Sequence, residues 1–150
     1  MDLYQLLKQD HQKIRRLFER LDEASSDGTV KQRERLFAEL KRELTLHTEV
    51  EEKHFYPALR DRDGAKELVA DSLEEHGEVK KLLGELDQAD KEEDNWTDQL
   101  QELHEDVDDH VEEEETELFP IAQKLLDEAK TKEIAEAIEK DKAAAQKAGG

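Results

Sequence analysis

The chain has no cysteine, only two prolines and six glycines, and no apolar run close to the ~18 residues of a membrane span. The lack of cysteine excludes disulfides, thiolate zinc sites, iron–sulfur clusters and covalently attached haem, so any metal must have nitrogen and oxygen ligands. The scarcity of proline and glycine favours long helices over strands. Because no basic region followed by an apolar stretch opens the chain, we expect a cytoplasmic protein.

Charge is abundant and mostly negative. Charged residues make up 43% of the 150 residues, and the net charge is -19. A charge of this sign repels nucleic-acid phosphates and anionic lipids, so we expect neither a nucleic acid nor a membrane as a partner. The length suits one domain with its own core.

Apolar residues recur at helical spacing in four segments. These stripes run from Leu3 to Leu21, from Leu36 to Leu59, from Leu68 to Leu86 and from Leu100 to Ile121. The pattern predicts an all-α fold, an antiparallel up-down four-helix bundle over residues 1–127. Residues 128–150 are rich in alanine and lysine and carry a narrow apolar face formed by Ile134, Ala137 and Ile138. We expect them to form an additional C-terminal helix on the outside of the bundle, frayed at Gly149 and Gly150.

The two halves of the predicted bundle repeat. The matching segments are Asp10-His11 with Glu75-His76, and His47-x-x-x-Glu51 with His110-x-x-x-Glu114. Apolar residues follow the first histidine of each half at the same offsets, and a proline follows six residues after each of these glutamates. The repeat indicates one helix pair used twice, with any site at a pseudo-two-fold axis between the copies.

The repeated histidines and glutamates have the spacing of metal ligands. A residue four positions along a helix lies on the same face one turn away, so each HxxxE pair can grip one ion. His47 and His110 continue apolar rows, and their side chains are therefore expected to point inward. An ionised carboxylate in a dry interior is costly unless it is paired or bound to a metal. Imidazole with carboxylate suits iron, manganese or zinc, and we favour iron.

Simpler interpretations of the same residues have to be weighed. A single inward histidine is more often a hydrogen-bonded core residue, and one HxxxE pair means little among 42 acidic residues. A metal-free polar network would need donors for both glutamates, which the surrounding leucines cannot supply. The repeated conjunction of four histidines with two glutamates favours a metal site.

The pattern resembles the hemerythrin-like HHE cation-binding family over about residues 1–127. The resemblance implies a di-iron centre, bridged by carboxylates and by an oxo or hydroxo group, with one iron open to dioxygen, nitric oxide or peroxide. The implied ligands are His11 and His47 for one iron, His76 and His110 for the other, and Glu51 and Glu114 as bridges. Oxygen-carrying hemerythrins have a histidine where this chain has Lys80, and an aspartate where it has Glu115. The likeness to the oxygen carriers is therefore incomplete.

His54 disturbs the symmetry of the repeat. It follows His47 by seven residues, which on a regular helix places it on the same face and within reach of the same ion. This spacing predicts a seventh ligand, and the alternative is a core histidine near the end of the bundle. Tyr4 is placed to line the pocket or to plug the bundle end.

Three other residues are assigned no role at the site. We expect His104 to lie on the surface and Tyr56 to point away from the site. We place Trp96 in the polar stretch before the fourth helix.

The sequence leaves several functions open. The first is a protein that binds or senses small oxidants at the di-iron site, and the alternative is an enzyme that removes peroxide or nitric oxide. An iron-responsive regulatory domain whose folding depends on metal is a third. Iron storage of the ferritin type is disfavoured, because it requires ExxH on two helices and only Glu51-x-x-His54 qualifies.

Overall fold

The computed structural model describes residues 2–149 and confirms the all-α fold. Within these residues six α-helices follow one another: α1 (Leu3–Asp27), α2 (Val30–Val50), α3 (Lys66–Gln88), α4 (Asp94–Glu113), α5 (Phe119–Leu125) and α6 (Glu128–Gly149). A π-helical turn, Glu51–Phe55, and a short 3-10 turn, Tyr56–Ala58, follow α2. A second π-helical turn, Glu114–Leu118, joins α4 to α5. Gly150, where fraying was predicted, lies outside the described residues.

The helices form two pairs that pack on each other. We call α1, α2 and the first π-turn the first half, and α3, α4 and the second π-turn the second half. Within the halves α1 packs along α2 and α3 packs along α4, while α1 also contacts α4 and α2 contacts α3. This arrangement places α1, α2, α3 and α4 around one axis, as the repeat predicted.

Local sequence signals determine where the first two helices begin. Asp2 and Thr29 cap α1 and α2, each in a reciprocal capping box with the glutamine three residues later. Between the helices stands Gly28, where an added Cβ atom would lie 2.7 Å from the backbone of Ala24. Only glycine allows α2 to follow α1 so closely. Arg33 then bonds the carbonyl oxygens of Ala24 and Lys91, which ties this turn to the connection between α3 and α4.

The core consists of two apolar clusters, one toward each end of the bundle. One cluster contains the aromatic residues Tyr4, Phe55 and Phe119. The cluster at the opposite end contains Phe18, Phe37 and Trp96. Contrary to our expectation, Trp96 lies in the first turn of α4 and is fully buried, with its indole N–H donating to the Leu86 carbonyl oxygen at 3.0 Å. Its burial was missed because the flanking residues are polar. The repeated histidines lie between the two clusters.

Helix α6 packs on the outside of the bundle formed by α1 to α4. Its residues Ile134, Ala135 and Ile138 are buried in the cluster that contains Phe55 and Phe119, whereas Ala137 is only half-buried. The helix contacts α1, α2 and the first π-turn. Within residues 2–149, no helix is both long enough and apolar enough to cross a bilayer.

Truncating Ile138 to alanine is expected to lower the free energy of unfolding by about 2–5 kcal/mol, because it leaves a cavity under α6. Leu73→Ala is the matched control, since Leu73 is 38% exposed and its truncation leaves no buried cavity. Urea unfolding followed by circular dichroism, at constant metal content, measures both. Equal, small losses in the two variants would contradict the docking of α6.

Candidate metal centre

Both π-turns begin at the glutamates of the HxxxE pairs. The Tyr56 N–H bonds the Glu51 carbonyl oxygen, and the Phe119 N–H bonds that of Glu114, so each turn holds one residue more than an α-helical turn. A proline follows each turn and removes a backbone donor, which prevents regular α-helical hydrogen bonding there. The wider turn rotates every later side chain relative to the histidines before it.

The structure brings together six of the seven residues predicted to bind metal. The six are His11, His47, Glu51, His76, His110 and Glu114, and all are buried. One group of ligand atoms, all within 4.8 Å of one another, comes from His11, His47, Glu51 and Glu114. A second group comes from Glu51, His76 and His110. Glu51 therefore belongs to both.

The two glutamates each span the halves of the repeat. Glu51 Oε1 lies 3.1 Å from His47 Nε2 and 3.3 Å from His76 Nε2. Glu114 places Oε1 3.4 Å from His11 Nε2 and Oε2 3.4 Å from His110 Nε2. A carboxylate held between imidazoles of both halves is placed to bridge two ions.

Several inward-facing atoms of the cluster have no hydrogen-bond partner. They are Nε2 of His11 and His47, both carboxylate oxygens of Glu51, and Oε1 of Glu114. Buried polar groups normally have partners, because each unpaired one costs free energy. Since all these atoms are metal donors and converge on the same space, the residues present fit a bound cation.

On the outer side, every histidine of the cluster meets a carboxylate. The Nδ1 partners are Asp10 for His47 at 2.9 Å, Glu115 for His11 at 2.6 Å, Glu52 for His76 at 3.0 Å and Glu75 for His110 at 2.7 Å. When Nδ1–H donates to the carboxylate, the Nε2 lone pair is left facing inward, as metal coordination requires. These four acids were not predicted from the sequence to take part in the site.

Without a metal, the carboxylates favour protonated histidines. Burial opposes the charge of His110, but hydrogen bonds to Glu114 and Glu75 raise its pKa to about 10. The pKa of His47 is also raised well above its usual value, because the carboxylates of Glu51 and Asp10 outweigh burial. Conversely, burial opposes ionisation of Glu114, but hydrogen bonds within the cluster hold its pKa well below the usual range. A metal ion would thus replace protons that the site already attracts.

Tyr56 was expected to point away, and this was wrong. Its hydroxyl donates to Glu114 Oε2 at 2.6 Å and lies 3.2 Å from His76 Nε2. The first π-turn supplies the reason, because it shifts the phase of the residues that follow Glu51. The counterpart of Tyr56 in the second half is Phe119, which stacks on the His11 ring with centroids 6.2 Å apart. The two halves therefore differ most in this aromatic pair.

His54 also departs from its predicted place. Its Nε2 lies 2.6 Å from Asp141 Oδ2 on α6, and it belongs to neither group of ligand atoms in the described residues. The seven-residue spacing from His47 assumed a regular helix, but His54 lies within the π-turn, which directs its imidazole toward α6. His54 contributes to the docking of α6 instead.

The remaining residues considered from the sequence lie around the cluster. His104 is half-buried, more than expected, and stacks on Phe18 with ring centroids 4.3 Å apart. Tyr4 packs edge-on against Phe55 and Phe119, as an aromatic plug at the bundle end would. Its hydroxyl is buried without a partner.

Tyr56→Phe is expected to destabilise the metal-free protein by roughly 1–2 kcal/mol, because a buried hydrogen bond to Glu114 is lost. Tyr4→Phe is the matched control, since the Tyr4 hydroxyl has no hydrogen bond to lose. Chemical denaturation in the presence of a chelator compares the two. A larger loss for Tyr4→Phe would contradict the assigned hydrogen bonds.

The bundle and its buried cluster have the form of a cation-binding helical protein. The sequence model of the Hemerythrin HHE cation binding domain matches residues 2–122, so the chain belongs to this family. The crystal structure of a Hemerythrin HHE cation binding domain-containing protein from Mycobacterium kansasii is similar, with a TM-score of 0.83 and 26% identity. That match covers 99% of this chain and 89% of the other.

A curated relative shares part of its length with this chain. It is a DNA nickase from Nostoc, 27% identical over 135 residues. These residues are 90% of this chain but only 37% of the relative, so the chain spans little more than a third of that protein.

Proposed function

We propose that the protein holds a non-haem di-iron centre and uses it to bind or sense a small oxidant such as dioxygen, nitric oxide or peroxide. The observation that carries the proposal is the set of unpartnered inward atoms, each on a side chain that is fully or almost fully buried. The carboxylates behind the imidazoles support it further, because they fix the tautomer that binds metal.

The proposed ligands follow the two halves. His11 and His47 would hold one ion at the first position, and His76 and His110 the other at the second position. Glu51 and Glu114 would bridge them, since each faces imidazoles of both halves. Nitrogen and carboxylate donors without thiolate suit iron, which supplies redox chemistry and an exchangeable coordination position.

The surrounding residues orient the ligands and exclude water. Phe119 stacks on His11, and Tyr4 and Phe55 pack behind it, so bulk solvent is kept from the first position. Such an environment suits small neutral ligands, which cross apolar packing more readily than ions do.

A second candidate function is turnover of peroxide or nitric oxide, and Tyr56 favours it. Its hydroxyl oxygen lies 2.6 Å from Glu114 Oε2 and donates its proton to that oxygen in a hydrogen bond. Burial and the charges of Glu114 and Glu51 raise the pKa of Tyr56 well above its usual value, so the proton stays on the phenol at neutral pH. The Tyr56 phenol, which keeps its proton beside Glu114, could donate that proton to peroxide or nitric oxide as either molecule is reduced.

The proposed partners are small molecules only, and the proposed location is the cytoplasm. The nicking activity named for the Nostoc relative is not carried over to this chain. The net charge of -19 opposes approach to nucleic-acid phosphates and to anionic lipid surfaces.

The test is the iron content of the purified protein, together with its visible absorption before and after reduction. About two irons per chain with ligand-to-metal bands in the near ultraviolet are expected. Stable bands after exposure to air or peroxide indicate a binder, whereas rapid bleaching with gas evolution indicates a catalyst. A single zinc, or no metal in a fully stable fold, would contradict the proposal.

A further inference from the structure

The carboxylates behind the two ion positions have different surroundings. Asp10, which accepts the His47 N–H on Oδ2, also pairs through Oδ1 with the ammonium group of Lys142 on α6. Glu75 holds the equivalent place behind His110, and among the described residues no lysine or arginine forms an ion pair with it. Behind the histidines of the first position there is thus a positively charged side chain, Lys142, which α6 supplies.

A lysine also stands near the second position, but it is much more exposed. Lys80 pairs with Glu52, the carboxylate behind His76, at 3.0 Å. The side chains of Lys80 and Glu52 are 51% and 27% exposed, against 22% and 9% for Lys142 and Asp10. Water and salt screen an exposed pair far more than a buried one, so Lys142 acts more strongly on the ion behind its carboxylate.

The surface outside the second position is acidic. Glu75 lies beside Glu113, and the pKa of Glu113 is raised by burial and by the charges of Glu75, Glu117 and Asp71. Burial and neighbouring carboxylates raise the pKa of Asp106 in the same way. A divalent cation is therefore attracted to the second position, while the half-buried Lys142 ammonium opposes it at the first.

We propose that the two positions fill in a fixed order, that of His76 and His110 first and that of His11 and His47 second, and that Lys142 determines this order. The inference rests on the proposed metal centre. Lys142 acts on the ion only through Asp10 and His47, and it is a positioning residue in that sense. Because α6 lies beyond the matched residues 2–122, this effect comes from outside the matched domain.

Zinc provides the test, because it is diamagnetic and binds the same donors. The full chain is titrated with zinc while the side-chain nitrogen resonances of the histidines are followed by NMR. In the wild type, His76 and His110 are expected to shift with the first equivalent, and His11 and His47 with the second. Lys142→Met is expected to tighten the second step roughly tenfold, so that the two steps merge, because the half-buried positive charge behind Asp10 is removed.

Three further variants separate the charge of Lys142 from loosening of α6. Lys142→Arg keeps the charge and should keep the order of filling. Asp141→Asn removes another contact of α6, with His54 and Lys53, and should also keep the order. Lys80→Met should change the first step much less than Lys142→Met changes the second, because Lys80 is screened.

Other outcomes overturn the inference. An unchanged order in Lys142→Met, a weaker second step, or an equal effect in Lys142→Arg or Asp141→Asn would show that the charge does not set the order. Simultaneous filling of both positions in the wild type would do the same while leaving the metal centre intact. Failure of the wild type to bind zinc or iron at these histidines would instead contradict the proposed function.

Discussion

Glu51→Gln is expected to reduce the iron content from about two per chain to less than one, with affinity lowered by more than about 100-fold. Glu51 is fully buried, neither carboxylate oxygen has a hydrogen-bond partner, and Oε1 lies close to Nε2 of both His47 and His76. The amide has no negative charge and offers one acceptor in place of two. Both proposed ion positions would therefore lose one of the two carboxylates assigned to bridge them.

The matched control for this change is Glu49→Gln. Glu49 precedes Glu51 by two residues and is exposed. Its substitution therefore removes the same charge without changing the cluster. Iron is quantified after reconstitution under anaerobic conditions, with circular dichroism as the check on folding. Retention of two irons in a folded Glu51→Gln protein would show that Glu51 is not a bridging ligand.

The effect of metal on stability is expected to grow as the pH rises. In the metal-free protein the pKa of His110 is about 10, against 6.5 for an ordinary histidine. The folded state thus binds a proton more tightly than the unfolded chain does. This stabilisation is complete below about pH 6.5 and is lost as the pH rises toward 10, at a cost of roughly 5 kcal/mol.

Bound metal removes this dependence, because an imidazole that binds an ion through Nε2 cannot be protonated there. The increase in melting temperature on adding metal should therefore be larger near pH 9 than near pH 6. At the acid end, the lowered pKa of Glu114 means that the metal-free protein loses stability as the carboxylate is protonated. Thermal melts across pH, with metal and with chelator, measure both limits. A metal-induced increase that shrinks with rising pH would contradict the assignment of the histidines.

The fold and the central cluster could be predicted because both follow regular helical spacing. The apolar stripes predicted where α1, α2, α3 and α4 lie along the chain. The repeat of His47-x-x-x-Glu51 in His110-x-x-x-Glu114 indicated that the two helix pairs share an axis. Within each of these pairs the chain is α-helical until the glutamate, where the π-turn begins. Regular helical spacing therefore places the side chains correctly up to that residue.

Beyond the glutamates regular helical spacing placed the side chains wrongly. His54 lies within the first π-turn and Tyr56 directly follows it, and the extra residue in that turn moved one imidazole out of the site and one hydroxyl into it. Sequence patterns based on 3.6 residues per turn contain no signal for such a change of phase. The recurrence of a proline after both glutamates was the one available hint.

The outer carboxylates were hidden for a different reason. Among 42 acidic residues, no spacing signal marks Glu52, and Glu115 was noted only as a departure from the oxygen-carrying hemerythrins. Only Asp10 and Glu75 were marked by the repeat, and their contact with His47 and His110 depends on how the helices pack. Long-range contacts of this kind are not encoded in local spacing.

The outer carboxylates also make the two helix pairs interdependent. His11 of the first half is oriented by Glu115 of the second, and His76 of the second half by Glu52 of the first. A hairpin of α1, α2 and the first π-turn alone would lack the acid that holds its own His11, yet through Glu52 it would carry the acid that a second copy needs. Two copies of such a hairpin, related by a two-fold axis, could each supply the carboxylate that orients the first histidine of the other.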